Sequence, residues 1–501
     1  MVAGKISYSS GKGLLVAWLA ALITLWTAIV PVVRSFFRLE INYNEGWNID
    51  NAAAVAHHQP LYAVAYGWTT VNYPALSFYV NAWLHSFTHE YLFTARVLSL
   101  LSTVACCVLI GAIVHQLTHS RASAAFAALL CLGIFCSDAN EYVGMDDPQM
   151  LAQAFFLAGM LIYVRGRQRL SSLLCALLLF AVGVNMKHTL LEFPLAVLLD
   201  ICLVAWRRAV FFAVTGAVLA VASVGLNMYF SGPYFITNML TLRNWSLAHA
   251  LNNFINALGP LLIPFVVACL VAYSIRKDPA RRIAAIFFAL ALLVGLSFSG
   301  GTGVYINVLF GVLFAMSILL GIFIENPVSI LGEWSAGLSP NWTIAALFIY
   351  LAIPMIFGVG STSAANTNFR TVKSIENLRA AESRFDEESA FLARQPGPAL
   401  CESMLLCNFA GKPYLYDPFN ASRFIQLGKL DAGVIVSQVQ QQKYGAIELS
   451  HSVGDEEKLD ASSDTVRFVP AILNAVDQNY VPAMQTQDAV IYIPRKSVAG
   501  H

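Results

Sequence analysis

Acidic residues in two segments are the side chains of this 501-residue chain best suited to chemistry. Glu45 lies in YNEGWN, shortly after the first long apolar run. Partial burial raises the pKa of such a carboxylate, and within reach of a hydroxyl it acts as a general base. A solvated loop acid is the alternative for Glu45. Asp146 and Asp147 are adjacent in GMDDPQM, where such a pair suits a helix cap, a substrate hydroxyl or a divalent cation.

A few basic residues beside apolar runs suit the binding of an anion. Lys187 and His188 lie between two apolar runs in NMKHTLLEFP. A Lys near the membrane core costs about 2.5–3.5 kcal/mol, so it usually has a partner or a ligand such as a phosphate. A snorkelling Lys that ends a helix is the alternative. Arg96 is a candidate ligand for a phosphate by the same argument. The alternative for Arg96 is an ion pair with an acid such as Glu90.

Three polar segments complete the set of candidate site residues. The interval 34–91 is long and rich in aromatic residues, 231–253 is suited to form a lid, and 299–307 is rich in glycine. Beside the acids and cations above, the candidate substrate-binding residues are Asn44, Asp50, Tyr73, Asp147, Arg243 and Asn307.

The composition requires these residues to be held by a membrane protein. Charged residues make up 12% of the chain, hydrophobic residues make up 57%, and the mean hydropathy is +0.63. A typical soluble domain has about 25% charged residues, and this chain has too few charges to cover a soluble surface. At about 20 apolar residues per span, eleven spans are predicted: 13–33, 92–117, 121–137, 149–164, 170–186, 188–206, 209–229, 256–275, 283–298, 304–324 and 342–360.

The distribution of Lys and Arg predicts the orientation of these spans. With the N-terminus in the cytoplasm, the cytoplasmic turns hold twelve basic residues, and the outer loops before residue 361 hold five. This asymmetry follows the positive-inside rule. An odd number of spans then places the tail outside. Within the loop 34–91, the residues Asn51 to His57 and Tyr73 to Phe87 are expected to form helices lying along the membrane interface.

The tail, residues 361–501, differs in composition from the membrane part, residues 1–360. It begins with a polar, helix-like stretch and continues with short apolar runs separated by turns. We expect a small α/β domain on the outer face. Cys401 and Cys407 are the only cysteines in this tail, and in an oxidising compartment a disulfide between them is as compatible with the sequence as two free thiols.

Several motifs in this order resemble the C-type (GT-C) integral-membrane glycosyltransferases. They are YNEGWNIDNAAAVAHHQPLY, NYPALSFYV, ARVLSLLS, DDPQMLAQ and KHTLLEFP, and the resemblance covers residues 10–360. The chain is similar to the protein O-mannosyltransferases and the aminoarabinose transferases that modify lipid A, and its tail resembles those of bacterial members. The resemblance implies a bacterial inner-membrane protein with about eleven transmembrane helices, interfacial helices in the first outer loop and a periplasmic α/β domain.

The resemblance also implies the reaction and the residues that perform it. A sugar on a polyprenyl phosphate would be transferred, with inversion, to an acceptor hydroxyl on a lipid, a glycan or a protein. Glu45 would be the base, Asp146 or Asp50 would supply a second catalytic carboxylate, and Lys187, Arg96 and His188 would bind the donor phosphate. Asn44 stands where relatives usually have Asp.

The resemblance implies no cofactor, no metal ion and no nucleic-acid partner, although a divalent ion at the acidic pair is an alternative. A transporter or flippase for a glycolipid is the alternative function. That alternative predicts ionisable groups at mid-membrane and paired repeats, and the sequence has neither pattern.

Overall fold

The structure is a computed structural model that describes residues 11–167, 169–241, 243–325, 346, 350, 371–462 and 466–495. The described chain consists of a helical membrane part, residues 11–325, and an α/β unit, residues 371–495. The predicted span 342–360 lies outside the described residues apart from two isolated positions.

The membrane part is helical wherever the chain has a long apolar run, because a helix satisfies every backbone polar group within the segment. Its helices are α1 (Gly11–Arg34), α2 (Asn44–Ala56), α3 (Leu76–Thr88), α4 (Leu92–Thr118), α5 (Arg121–Asp138), α6 (Gln149–Gly166), α7 (Leu170–Val184), α8 (Glu192–Cys202), α9 (Trp206–Ser231), α10 (Phe235–Met239), α11 (Leu247–Leu258), α12 (Leu262–Ile275), α13 (Arg282–Ser299) and α14 (Phe310–Glu325).

The helices agree with the predicted polytopic membrane fold. In the described residues, α4, α5, α9, α13 and the stretch Ile306–Glu325 are long and apolar enough to cross a membrane. The predicted span 256–275 runs across a 94° bend between α11 and α12. Pro260 lies at this bend and has no backbone N–H to continue the helix. The predicted span 188–206 contains only the 11-residue helix α8.

The membrane part is organised around α14. In the most apolar window of Ile306–Glu325, 89% of the residues are buried, against 11% for α9. The central helix therefore contacts protein on all sides, whereas α9 exposes its valine-rich face on the outside of the helix bundle. The acid-bearing turn after α5 and the Lys-bearing turn after α7 are held at one end of this helix bundle.

The first loop forms two helices, as the sequence predicts, although α2 begins at Asn44 instead of Asn51. Both α2 and α3 have 13 residues, which is shorter than the about 20 residues a span requires. Trp47 fixes the two helices against each other: its indole N–H donates to the carbonyl of Thr70 at 3.1 Å, and its ring contacts Phe78 edge-on.

The C-terminal part forms the expected α/β unit. Its elements are α15 (Thr371–Arg394), β1 (Ala399–Cys401), α16 (Met404–Phe409), α17 (Pro418–Gln426), α18 (Gly433–Gln440), β2 (Ala446–Leu449), α19 (Val453–Ser462), α20 (Pro470–Asn479), β3 (Tyr480–Gln485) and β4 (Val490–Pro494). Its sheet has the order β1-β2-β4-β3, with β1 and β2 parallel and the other neighbours antiparallel. Cys401 and Cys407 form a disulfide that links β1 to α16.

The C-terminal unit packs directly on the first loop. Asn408 donates to the Asp50 carboxylate at 3.0 Å, and the Asp417 backbone N–H donates to the Trp68 carbonyl at 2.7 Å. Gly46 marks the closest approach, because a Cβ atom added there would lie 2.2 Å from the backbone nitrogen of Leu405. Only glycine lets α2 and α16 meet at this distance.

We predict that Gly46→Ala destabilises the protein by about 1–3 kcal/mol, because the added methyl group meets backbone that cannot move aside. The control is Gly454→Ala in α19, where nothing lies within 4 Å of the added carbon. Thermal unfolding of the purified protein measures the difference, with unfolding monitored by the protease sensitivity of residues 371–495. Equal unfolding temperatures for the two variants would contradict close packing at Gly46.

Candidate functional site

A cavity of about 540 Å³ lies between the first loop, the segments 231–253 and 299–307, and the C-terminal unit. Its volume falls in the range of about 300–1,000 Å³ typical of small-molecule sites. The polar and aromatic residues that line it include Asn42, Tyr43, Asn44, Trp47, Asn72, Tyr73, Tyr142, Lys187, His188, Arg243, Trp245, His249, Tyr305, Asn307, Phe419, Asn420, Arg423 and Arg467.

The charges along this cavity are of one sign. Lys187, Arg243, Arg423 and Arg467 line it, and among the described residues no Asp or Glu does. A concave surface with low-dielectric walls concentrates the field of such charges and attracts anions. The cavity is therefore suited to a ligand that combines a negative group with a polar, ring-shaped part that packs on aromatic side chains.

Lys187 links the cavity to the acidic pair. It lies in the turn after α7, with its Nζ 3.4 Å from Asp147 Oδ1 and 3.7 Å from the centre of the Tyr73 ring. Burial lowers the pKa of Lys187, and the Asp147 carboxylate opposes that shift. The ammonium group is thus held by one carboxylate and one aromatic face at the cavity wall.

His188 and Arg243 extend the polar wall on either side of Lys187. Burial, Lys187 and Arg243 together lower the pKa of His188 to about 4, so its ring is neutral at pH 7. Arg243 Nη1 donates to the carbonyl of Thr302 at 3.1 Å. The segments 231–253 and 299–307 are joined here, because Thr302 N–H donates to Asn244 O at 2.9 Å.

Three other predicted residues line the same cavity. Asn44 begins α2, and Tyr73 packs edge-on against Trp47 with ring centres 5.1 Å apart. Asn307 exchanges hydrogen bonds of 3.2 Å with Gln149, which directly follows the acidic turn in α6. The structure therefore brings together Asn44, Tyr73, Lys187, His188, Arg243 and Asn307.

Glu45 and Arg96 form a buried ion pair behind this cavity. Arg96 Nε donates to Glu45 Oε1 at 2.8 Å and Nη2 donates to Oε2 at 2.6 Å, and both side chains are 0% exposed. The carboxylate also accepts the backbone N–H of Ile41 at 2.7 Å and that of Asp146 at 3.0 Å. Arg96 donates further to the carbonyls of Phe37 and Leu39, each at 2.6 Å.

These contacts show how the structure holds the predicted base, Glu45, and the predicted phosphate ligand, Arg96. Neither Glu45 nor Arg96 lines the cavity, and the hydrogen bonds of each are taken up inside the protein. The acidic partner of Arg96 is Glu45, and not Glu90 as the alternative proposed.

Asp146 and Asp147 sit beside a second, small cavity of about 30 Å³, which is also lined by Asn48, Ser77, Asn81 and Ser99. One oxygen of each aspartate accepts no hydrogen bond from the described residues. Burial raises the pKa of Asp146 well above its usual range, and the charges of Glu45 and Asp147 add to this shift. Asp147 caps α6 through its Oδ1, which accepts the Gln149 N–H at 2.7 Å.

Asp50 does not reach the cavity and instead joins α2 to the C-terminal unit through Asn408. Burial raises the pKa of Asp50 to about 7, against the opposing effect of that hydrogen bond. Among the described residues, no group of three or more His, Cys, Asp or Glu side chains is arranged to hold a metal ion.

Sequence reasoning missed the contribution of the C-terminal unit. Phe419, Asn420 and Arg423 from α17, together with Arg467, form one wall of the cavity. Asp417 caps α17 by accepting the N–H groups of Phe419 and Asn420, and Pro418 begins the helix. No local signal in the sequence distinguishes Arg423 and Arg467 from the other basic residues of a charged tail.

Both the sequence and the structure of this chain are similar to those of known transferases. Residues 72–231 match the family model described as dolichyl-phosphate-mannose-protein mannosyltransferase. The structure is similar to ArnT from Cupriavidus metallidurans bound to undecaprenyl phosphate, with a TM-score of 0.59 and 14% identity over 97% of this chain and 99% of that one. No curated protein matches the sequence.

A second similar structure is the archaeal oligosaccharyltransferase AglB from Archaeoglobus fulgidus in complex with an inhibitory peptide and a dolichol-phosphate. The TM-score is 0.52 and the identity 11%, over 98% of this chain and 75% of that one. The predicted resemblance is confirmed at the level of fold: the chain has the polytopic helical membrane fold of these two structures.

We predict that Glu45→Gln destabilises the protein, because it leaves the Arg96 guanidinium buried without a counter-charge. Breaking a buried ion pair from one side typically costs about 3–5 kcal/mol. Tryptophan fluorescence during thermal unfolding in detergent measures the change. The matched control is Glu90→Gln, which alters an exposed acid near the start of α4. An unfolding temperature equal to that of the control would rule out a structural role for Glu45.

Proposed function

We propose that this protein is an inverting glycosyltransferase of a bacterial inner membrane. It moves a sugar from a polyprenyl phosphate to an acceptor hydroxyl on the outer face. The supporting observation is the cation-lined, aromatic-walled cavity at one end of a helix bundle with the GT-C fold. The lipid chain of such a donor is dissolved in the bilayer, so its phosphate arrives at the level where the helices end.

The donor phosphate is assigned to Lys187 and Arg243. Both line the cavity, and the charge of each lowers the pKa of a neighbour that they share, His188. Fixed cations stabilise the charge that develops on a leaving phosphate in a site shielded from water. The phosphate then leaves without needing a proton. Tyr73 and Trp47 provide faces on which the sugar ring packs.

Asp147 is the carboxylate best placed to act as the base. Its ion-pair partner Lys187 lines the cavity, and this cation is the group proposed to bind the donor phosphate. When Lys187 turns toward the donor phosphate, Asp147 loses its counter-charge and becomes more basic. Lys187 thereby couples binding of the donor phosphate to the basicity of Asp147, which accepts the proton of the acceptor hydroxyl.

Glu45 acts in this proposal as a positioning residue. Its Oε1 holds the backbone N–H of Asp146 at 3.0 Å, and therefore fixes the turn that carries Asp147. Asn44, which precedes it, lines the cavity and suits a hydrogen bond to a sugar or acceptor hydroxyl. Asp146 bonds to Glu45 through its backbone N–H and lines the small cavity next to Asp147.

The proposed orientation puts the N-terminus in the cytoplasm and the C-terminal unit in the periplasm. Two residues predicted for cytoplasmic turns meet at Asp200 in α8: Arg282 Nε lies 2.6 Å and Arg167 Nη1 lies 3.6 Å from its carboxylate. The cavity residues come from the turns at the opposite ends of the same helices. This separation supports chemistry on the outer face.

We predict that Asp147→Asn reduces sugar transfer by about 10²–10⁴-fold, the usual contribution of general-base catalysis. The readout is release of polyprenyl phosphate from polyprenyl-phosphate sugars, since every sugar yields this product. Asp386→Asn, at an exposed acid of α15, serves as the control. Wild-type rates in Asp147→Asn would eliminate Asp147 as the base.

We predict that Lys187→Gln raises the KM for the lipid donor by about 10–100-fold, because a hydrogen bond to a charged group is worth about 1.5–3 kcal/mol. Lys187→Arg keeps the charge and should recover much of the loss. Lys373→Gln, at an exposed position of α15, should leave KM unchanged. A KM equal to wild type in Lys187→Gln would refute the phosphate role.

A further inference from the structure

Two arginines reach the cavity from the C-terminal unit, on the side away from the acidic pair. Arg423 lies in α17, is 6% exposed, and donates through Nη2 to the carbonyl of Thr241 at 3.3 Å. The Arg467 guanidinium lies 4.0 Å from the centre of the Tyr43 ring. The Arg423 side chain is therefore held in place by a neutral group of the cavity wall.

Among the described residues, Arg423 and Arg243 lack the kind of acidic partner that Lys187 has. Lys187 has the carboxylate of Asp147 at 3.4 Å. Arg243 and Arg423 donate to backbone carbonyls, and no carboxylate oxygen of the described residues lies within salt-bridge distance of either one. Burial and the charge of Arg243 lower the pKa of Arg423 to about 10, so the two guanidinium groups repel each other. An anion placed between them would relieve this cost.

A single donor phosphate does not supply enough negative charge for this cavity. The phosphate of a polyprenyl-phosphate sugar is a diester and carries one negative charge. In the proposed function that charge faces Lys187 and Arg243. Arg423 then keeps a buried positive charge without a counter-ion, and buried charges are normally paired. The planar guanidinium is also the group best shaped for bidentate contact with a phosphate or carboxylate.

We propose that Arg423, with Arg467 beside it, binds a second anionic group, separate from the phosphate next to Lys187. This inference rests on the proposed function and extends it to substrate class. The group is a phosphate or carboxylate that enters the cavity together with the donor. It belongs either to the acceptor or to a donor that carries a second phosphate, and both sources present the same chemistry to Arg423.

The test uses the purified full-length protein in detergent and two kinds of probe. Undecaprenyl phosphate and undecaprenyl diphosphate report on the donor side, and radiolabelled inorganic phosphate reports on the second anion. The variant is Arg423→Gln, and the matched control is Arg394→Gln at the exposed end of α15. Unfolding temperatures check folding, and Arg423→Lys, which keeps the charge, should retain most of the phosphate binding.

We expect inorganic phosphate to bind saturably while undecaprenyl phosphate occupies the protein. Arg423→Gln should weaken this phosphate binding at least tenfold and change the affinity for undecaprenyl phosphate by less than about twofold, whereas Arg394→Gln should change neither. If undecaprenyl diphosphate binds at least tenfold more tightly than the monophosphate, and Arg423→Gln removes that gain, the second anion comes from the donor. Equal affinity for the two lipids assigns it to the acceptor.

Two results would overturn the inference: phosphate binding that undecaprenyl phosphate abolishes by competition, or phosphate binding that is the same in Arg423→Gln and wild type. Failure of the proposed function has a different signature, because undecaprenyl phosphate would then not bind at all. In that case, phosphate binding measured without lipid, in wild type and Arg423→Gln, still decides whether Arg423 forms an anion site.

Discussion

The ion pair between Glu45 and Arg96 is the contact on which the arrangement of the site depends. It joins α2 in the first loop to α4 in the membrane, and its remaining hydrogen bonds reach the chain between α1 and α2 and the turn before α6. Removing two charges from water is costly, and only this complete set of partners makes the pair tolerable. One buried pair therefore sets the relative positions of three segments that are far apart in sequence.

Around this anchor, the protein separates negative from positive charge. The carboxylates lie in an inner layer with Arg96 and the polar side chains of the small cavity. The cations and aromatic rings face the large cavity. Lys187 connects the two layers, since it contacts Asp147 and lines the cavity. Such a layered arrangement keeps acids close enough to react while leaving the surface that meets the ligand attractive to anions.

Most of the fold was predictable, because long apolar runs and the positive-inside pattern are local signals. The helices α2 and α3 and the α/β nature of the tail were also predicted from local patterns. The pairing of Glu45 with Arg96 was not, since one sequence does not indicate which acid meets a given cation across 51 positions. Arg423 was missed for the same reason: its role arises from docking of a distant unit on the loop that carries Trp68 and Asp50.

A cavity whose walls come from both ends of the chain has a consequence for biosynthesis. Tyr43 and Asn44 leave the ribosome well before Arg423 and Arg467, which lie far along the chain from them. The nascent membrane part therefore inserts with an open half-site, which lacks two of the four cations in the finished cavity wall. The site is complete only after α16 has settled against Gly46. Ligand recognition therefore requires the C-terminal unit to be docked on the first loop. A chain that lacks this unit has only half of the binding site.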